Sequence, residues 1–309
     1  MPMRLFATQV AAKIEGTEGT KETLAAADAV QIKDVSFVPV IEMYERDLLR
    51  ESLSRSPSVS GKRSGKIGFV SELKGSGTAG TAPDYGKLLK ACGFSETIVP
   101  STSVTYKPAT ASIPSITVGA YMDGVIKRIW GARGNVRLSI EGGKPGLLAF
   151  EFEGADFEVV DGALLTSVSY STIIPPNFLN VSLVLDSYAA ICSKVDIDVA
   201  NSLTKRQDIS APSGHKSTMI TGRNPKGSLD PELTTIISYD FYGKWRTPGT
   251  LGALSLSANG GAGNIVTVSC PKVRYASIAS QDRDGLRTLG VDFEACLNTG
   301  DDEISIVLT

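Results

Sequence analysis

The chain contains a single imidazole, His215, so any triad built on histidine would have to use it. It lies in the polar stretch Ser213-Gly-His-Lys216, whose neighbours give no support for a catalytic arrangement. The four cysteines, Cys92, Cys192, Cys270 and Cys296, form no C-x-x-C pair, and one histidine cannot complete a zinc site with them. So few cysteines in a chain this long do not make a disulfide framework, and free thiols in a reducing compartment are expected. Gly75-Ser-Gly77 and Gly260-Gly-Ala-Gly263 lack the Gly-Lys-Ser/Thr ending of a phosphate loop and read as turns. Asp282-Arg-Asp-Gly-Leu286 falls short of a calcium loop and reads as a charged hairpin turn. The expectation is a chain with no catalytic residue, no metal and no cofactor.

What remains is charge placed by strand alternation. Glu151 and Glu153 alternate with Phe150 and Phe152, and Asp196 and Asp198 alternate with Val195, Ile197 and Val199. A period of two puts each set of acids on one side of its strand. Such a row is either a solvated sheet face or a wall facing a polyanion. In the second case like charge would prevent adhesion, because phosphate attraction to cations dominates non-specific binding. Lys plus Arg (31) nearly balances Asp plus Glu (33), which argues against a dedicated nucleic-acid-binding protein.

These residues need strands to hold them, and the sequence is rich in strand and turn signals. Of its 309 residues, 42% are hydrophobic, enough for a sizeable core, and 31 are glycine. No apolar run reaches the ~18 residues of a membrane helix, and Met1-Pro-Met-Arg-Leu-Phe6 lacks the apolar core of a signal peptide. Residues 1–30 read as an arm whose Leu5, Phe6, Val10 and Ile14 seek a neighbour. Residues 31–165 read as a first folded unit, with a long hairpin loop over 50–66 and a short helix opening at Pro83. Val125–Trp130 is expected to turn at Gly131-Ala-Arg-Gly134 into a further strand, within a meander ending at Glu153. Residues 166–309 read as a second unit. There Lys205-Arg-Gln-Asp-Ile209 stands for Glu45-Arg-Asp-Leu48, Ser213-Gly-His-Lys216 for Ser60-Gly-Lys62, and Lys226-Gly-Ser228 for Lys74-Gly-Ser76. Pro231–Ile237 stands for the helix. An offset of about 150 residues kept across several features points to a duplicated unit.

Phe6-Ala-Thr-Gln-Val-Ala-Ala-Lys-Ile-Glu-Gly-Thr-Glu-Gly-Thr20, Tyr44-Glu-Arg-Asp-Leu-Leu49, Ser60-Gly-Lys-Arg-Ser-Gly65 and Leu88-Leu-Lys-Ala-Cys-Gly93 together resemble a major tail tube protein of long non-contractile-tailed bacteriophages. Thr221-Gly-Arg-Asn-Pro-Lys-Gly227 and Asp282-Arg-Asp-Gly-Leu286 extend the resemblance into the second half. It implies a mainly β chain of two tandem β-sandwich or split-barrel domains, each with one short flanking α-helix. It also implies rings stacked into a tail tube, the conduit for genome delivery, assembled in the host cytoplasm and carried in the virion. Implied partners are further copies of the chain, a tape-measure protein, tail-tip and terminator proteins, and phage DNA passing without sequence-specific binding. No membrane partner is implied. Contacts between subunits or rings would fall to Phe6, Val10, Glu45, Arg46, Asp47, Arg50, Arg55, Lys62, Arg63, Arg206, Asp208, His215 and Lys216. The lumen would be lined by Glu151, Glu153, Asp196 and Asp198. Most such proteins carry one tube domain and form hexameric rings. Two domains here imply a homotrimeric ring with pseudo-sixfold symmetry. The alternative is a receptor-binding or surface adhesion protein with two β-sandwich domains, and a weaker rival is a secretion-system tube protein.

Overall fold

The structure, a computed structural model, describes residues 7–52, 54–181 and 183–309. It is mainly β. The first half runs β1 (Thr8–Ile14), β2 (Ala29–Val30), β3 (Lys33–Tyr44), β4 (Val59–Glu72), α1 (Gly86–Ala91), β5 (Phe94–Val99), β6 (Ser103–Pro108), β7 (Ile116–Met122), β8 (Gly124–Glu141), β9 (Leu147–Gly154) and β10 (Asp156–Gly162). The second half runs β11 (Leu183–Leu185), β12 (Tyr188–Ala190), β13 (Cys192–Asp198), β14 (Asn201–Gln207), β15 (His215–Arg223), β16 (Lys226–Pro231), α2 (Phe241–Arg246), β17 (Gly252–Asn259), β18 (Ile265–Arg283), β19 (Leu286–Ala295) and β20 (Ser305–Leu308).

The order of pairing recurs along the chain, all of it antiparallel. In the first half β3 pairs β4, β4 pairs β9, β9 pairs β8, and β8 also pairs β7 and β10. In the second half β13 pairs β16, β16 pairs β19, β19 pairs β18, and β18 also pairs β17 and β20. β7 is extended by β1 and β2, and β17 by β11 and β12. The two halves meet where the end of β8 pairs β13, with Ser139 opposite Asp196 and Arg137 opposite Asp198. Strands β3, β4, β9, β8, β13, β16, β19 and β18 therefore form one continuous sheet.

β8 and β18 are long because each serves two sheets. The turn expected at Gly131-Ala-Arg-Gly134 is instead a bend within β8. Gly131 takes a positive φ of 59°, and its N–H is met by Glu15 Oε1 at 2.7 Å. The same buried carboxylate accepts Ser115 Oγ at 2.6 Å, Thr117 Oγ1 at 3.0 Å and Gly19 N at 2.8 Å. At Gly134 a Cβ would lie 2.6 Å from Glu151 O, so only glycine lets β9 close on the bent strand.

Residues 8–14 are not a free arm. They form β1, and Val10, expected at a neighbouring subunit, is fully buried in this chain's own core opposite Ala120. Phe6 lies outside the described residues. Strand pairing also shortens the hairpin loop. Residues 59–66, expected in the loop, belong to β4, and residues 45–52 and 54–58 have no regular structure. The second helix does not follow Pro231, which ends β16. It starts at Phe241 behind Asp240, whose side chain accepts the Gly243 N–H at 2.7 Å. Lys226 consequently matches Lys66 and not Lys74, since each lies opposite a glutamate on the next strand, Glu294 and Glu153. The short strand β17 carried no expectation.

The core sits behind the continuous sheet. Ile67, Phe69, Phe150, Phe152, Val136 and Leu138 turn inward in the first half, and Val195, Ile197, Leu229, Val291 and Phe293 do so in the second. Phe152 packs against Phe69 and Phe150 at ring separations of 5.9 and 6.0 Å. Phe152→Ala is expected to cost about 3–5 kcal/mol of folding stability. Leu49→Ala, on a fully exposed side chain, is expected to stay within about 0.5 kcal/mol. Denaturant unfolding of the unassembled chain measures both.

Candidate functional site: a polar sheet face and two open edges

Residues directly opposite each other in a sheet share a face. The register therefore places all four acids expected at a lumen on one face of the continuous sheet. Glu153 lies between Lys66 and Arg133, and Glu151 lies between Gly68 and Asn135. Asp196 and Asp198 follow across the junction, then Ser228 and Lys226, then Asp292 and Glu294. The opposite face is the apolar core, so this one is left to water except where β14–β15 covers the Lys66, Glu153 and Arg133 row.

The acids are not bare. Lys66 Nζ pairs with Glu153 and lies 3.8 Å from Glu151. The hydrogen bond that Lys66 donates to Glu153 raises the Lys66 pKa against the effect of burial. Asp196 is buried, 2.7 Å from Lys194 Nζ and 3.5 Å from Arg137. Burial raises its pKa, but hydrogen bonds from Lys194 and Ser139 and the two cations bring the net shift below the ordinary value. Asp198 accepts Asn135 Nδ2 and the Ala200 N–H, both at 2.8 Å. Around Glu151, Glu153 and Asp196 the face is thus a mosaic of paired charges, whereas Lys226 and Glu294 farther along are exposed.

The expected contact residues separate into two groups. The β14–β15 hairpin, from the second half, lies on the first half. Lys62 Nζ donates to Gln207 Oε1 at 2.8 Å, and the Arg63 N–H donates to Ser213 O at 3.1 Å. Lys205 Nζ lies 2.9 Å from Ser64 Oγ and 3.8 Å from Glu153. Arg133, only 7% exposed, donates to Thr218 O and pairs with Glu18 at 2.8 Å. Glu18 also holds Arg206 at 3.1 Å and Ser217 Oγ at 2.8 Å. Lys216 turns its carbonyl toward Gly19 and Gly131, so close that a Cβ at Gly19 would meet it at 2.3 Å. Lys62, Arg63, Arg206, His215 and Lys216 therefore belong to a seam inside one chain. Asp208 caps that hairpin's turn through Ser210 N at 2.9 Å.

His215 lies in this seam with Nδ1 buried and unpaired. Burial and the nearby Lys205 and Lys62 push its pKa down. Its strand partner is Gln207. All four cysteines are free. Among the described residues no cluster of three or more His, Cys, Asp or Glu is arranged to hold a metal.

Glu45, Arg46, Asp47, Arg50 and Arg55 belong to the other group. All five are exposed, and Arg55 and Glu45 approach to 3.5 Å. The outer half of the β3–β4 hairpin is exposed on both faces, including Val38, Val40, Ile41, Met43, Tyr44 and Val59. Among the described residues β3 has a strand on one side only. So does β18 beyond Arg274, where its edge carbonyl at Ala276 takes the Trp245 Nε1–H at 3.1 Å.

Comparison with known proteins adds the family. A family model described as phage tail tube protein matches residues 6–308. None of the curated proteins matches the chain.

Arg133→Met should leave Thr218 O without its donor and Glu18 with Arg206 as its remaining cation, and cost about 3 kcal/mol, with faster hydrogen exchange in β14 and β15. The Glu18 seam also sets a pH dependence. Burial raises the Glu18 pKa, but hydrogen bonds from Arg133 and Ser217 leave it below its ordinary 4.5. A depressed folded pKa gives stability that is complete above the unfolded value and lost as pH falls through the folded one. Protection of β14–β15 should be flat above pH 4.5 and decline below it, as hydrogen exchange across a pH series would record.

Proposed function

This chain belongs to the phage tail tube protein family and is a structural protein of the virion tail, and we propose that three copies close a ring of six like units. The observation that carries this is the β8–β13 junction. Inside the chain, the free edge of one long bent strand is completed by β13, the first long strand of the next half. The corresponding edges at the chain's two extremes, β18 beyond Arg274 and β3, are both open. A sheet edge is a row of backbone donors and acceptors awaiting a strand. A head-to-tail contact between such edges makes a ring if the rotation closes.

The β8–β13 register transfers through the shared neighbours β9/β19 and β4/β16. It sets Asp34 opposite Arg283, Ser36 opposite Gln281, and Val38 opposite Ala279 of the next copy. The ladder stops at Pro39, which has no N–H to donate where Val199 N–H reaches Val136 O at 3.2 Å. In this reading 31–165 and 166–309 are the two tube domains. The polar face with Glu151, Glu153, Asp196 and Asp198 lines the channel, and its paired charges offer phosphates little to hold. Rings stack into the tube that conducts the genome, and the exposed Glu45, Arg46, Asp47, Arg50 and Arg55 serve contacts between subunits and rings. Assembly in the host cytoplasm, and the tape-measure, tail-tip and terminator partners, follow from the family reading.

Cryo-electron microscopy of assembled material tests this. Hollow tubes with three chains per ring and near-sixfold density are expected. Six chains per ring, or discrete particles of the adhesin kind, would overturn it.

A further inference from the structure

We infer that the outer half of the β3–β4 hairpin docks on the next copy of this chain, across the ends of its β18 and β19, with Arg274 and Glu294 as the receiving groups. The inference rests on the ring proposed above and deepens it, naming the surface that receives the hairpin.

The argument compares two cross-strand rows. In the first half Lys66, Glu153 and Arg133 lie side by side on β4, β9 and β8. In the second half Lys226, Glu294 and Arg274 lie side by side on β16, β19 and β18. The residues match type for type. Their surroundings do not. The first row is covered by β14–β15, and Arg133 is buried with its guanidinium on Thr218 O. In the second row all three residues are exposed, and none of them forms a salt bridge among the described residues. A cover present in one half is missing in the other.

The missing cover exists in the chain, in the wrong place. The β3–β4 hairpin occupies the position in the first half that β13 to β16 occupy in the second. Its outer part leaves six large apolar side chains in water, an exposed patch that marks a contact surface. Within one chain it cannot reach the second row, because β3 and β18 lie at opposite ends of the sheet. On a ring the two ends are adjacent, and the hairpin arrives over the row as β14–β15 does inside the chain.

The repeat also gives the register. Arg63 and Arg223 correspond, each held by acids at or just before the strand that flanks the bend, Asp156 opening β10 for the first and Asp301 and Glu303 preceding β20 for the second. Counting back from this pair, Thr218 corresponds to Ser58 and Lys205 to Glu45. Ser58 of one copy should therefore lie against Arg274 of the next, as Thr218 lies against Arg133. Glu45 and Arg46 should lie over the Lys226–Glu294–Arg274 row, which carries both signs of charge to meet them.

Cysteine cross-linking reads this contact. In tubes of the Ser58→Cys, Arg274→Cys double variant, oxidation should give covalent dimers and trimers on denaturing gels. Each single variant should give none above the unmodified chain. Tubes without that ladder would overturn the docking while leaving the tube itself standing. Absence of tubes from the unmodified chain would overturn the underlying reading. Should the double variant fail to assemble, trypsin on the unmodified protein decides. Cleavage after Arg46, Arg50 and Arg55 is expected in the free chain and blocked in tubes, and equal cleavage in both would overturn the proposal.

Discussion

The constraint from which the rest follows is the bend in β8. A single strand enters one sheet, turns through Gly131, and leaves in another. Its backbone would be left short of a partner at the bend if Glu15 did not reach in. That carboxylate is the hub for β1, β7 and β8 together, since it also binds Ser115, Thr117 and Gly19. With β8 bent, its last residues project beyond β10 and β7 and present an edge. The edge is what β13 completes. Without the bend there would be no continuous sheet, no single polar face, and no second strand of the same kind left open at the far end.

Much of this frame is legible in the residues, and the misreadings share a cause. Leu147 to Glu153 alternates, and β9 is where the alternation says. Gly93, at φ 86°, ends α1 as its position suggests. Gly131-Ala-Arg-Gly134 reads as a turn because local signals say glycine pair. What makes it a bend is a partner more than a hundred residues away in sequence. Pro231-Glu reads as a helix start, yet Leu229 opposes Val291 and keeps the segment in the sheet. β1 reads as a loose arm because Ala11 and Ala12 are small, although both are fully buried. Small side chains bury completely without announcing it by size.

The polar face repeats that lesson. Alternation alone groups the four acids, but Lys66, Arg137 and Lys205, which pair with three of them, come from other strands and from the β14–β15 hairpin. The face therefore reads as acidic in sequence and as a charge mosaic in space. The charged loop residues read as one class, because Lys62, Arg206 and His215 look no different in sequence from Arg46 and Arg50. Only tertiary contact separates a seam already made inside the chain from a surface that remains open.

The two junctions of the proposed ring differ in a way that their histories require. At the internal junction the core-facing pairs are Val195 with Ile140 and Ile197 with Leu138, all apolar. At the corresponding positions between chains, Val35 and Phe37 would meet Asp282 and Ser280. A seam inside one chain is never presented to other molecules after folding, so it tolerates a greasy edge. A seam between chains is exposed until assembly, and a long apolar edge would pair indiscriminately. Asp34, Pro39, Asp282 and Arg283 blunt it. Joining two units in one chain also turns one association step into an intramolecular one at high effective concentration. Half of the ring's contacts then form on folding. The remaining three carry polar edges and an exposed hairpin, so they need several weak contacts to be made together. In the proposed ring, specificity for the growing tube would come from that simultaneity.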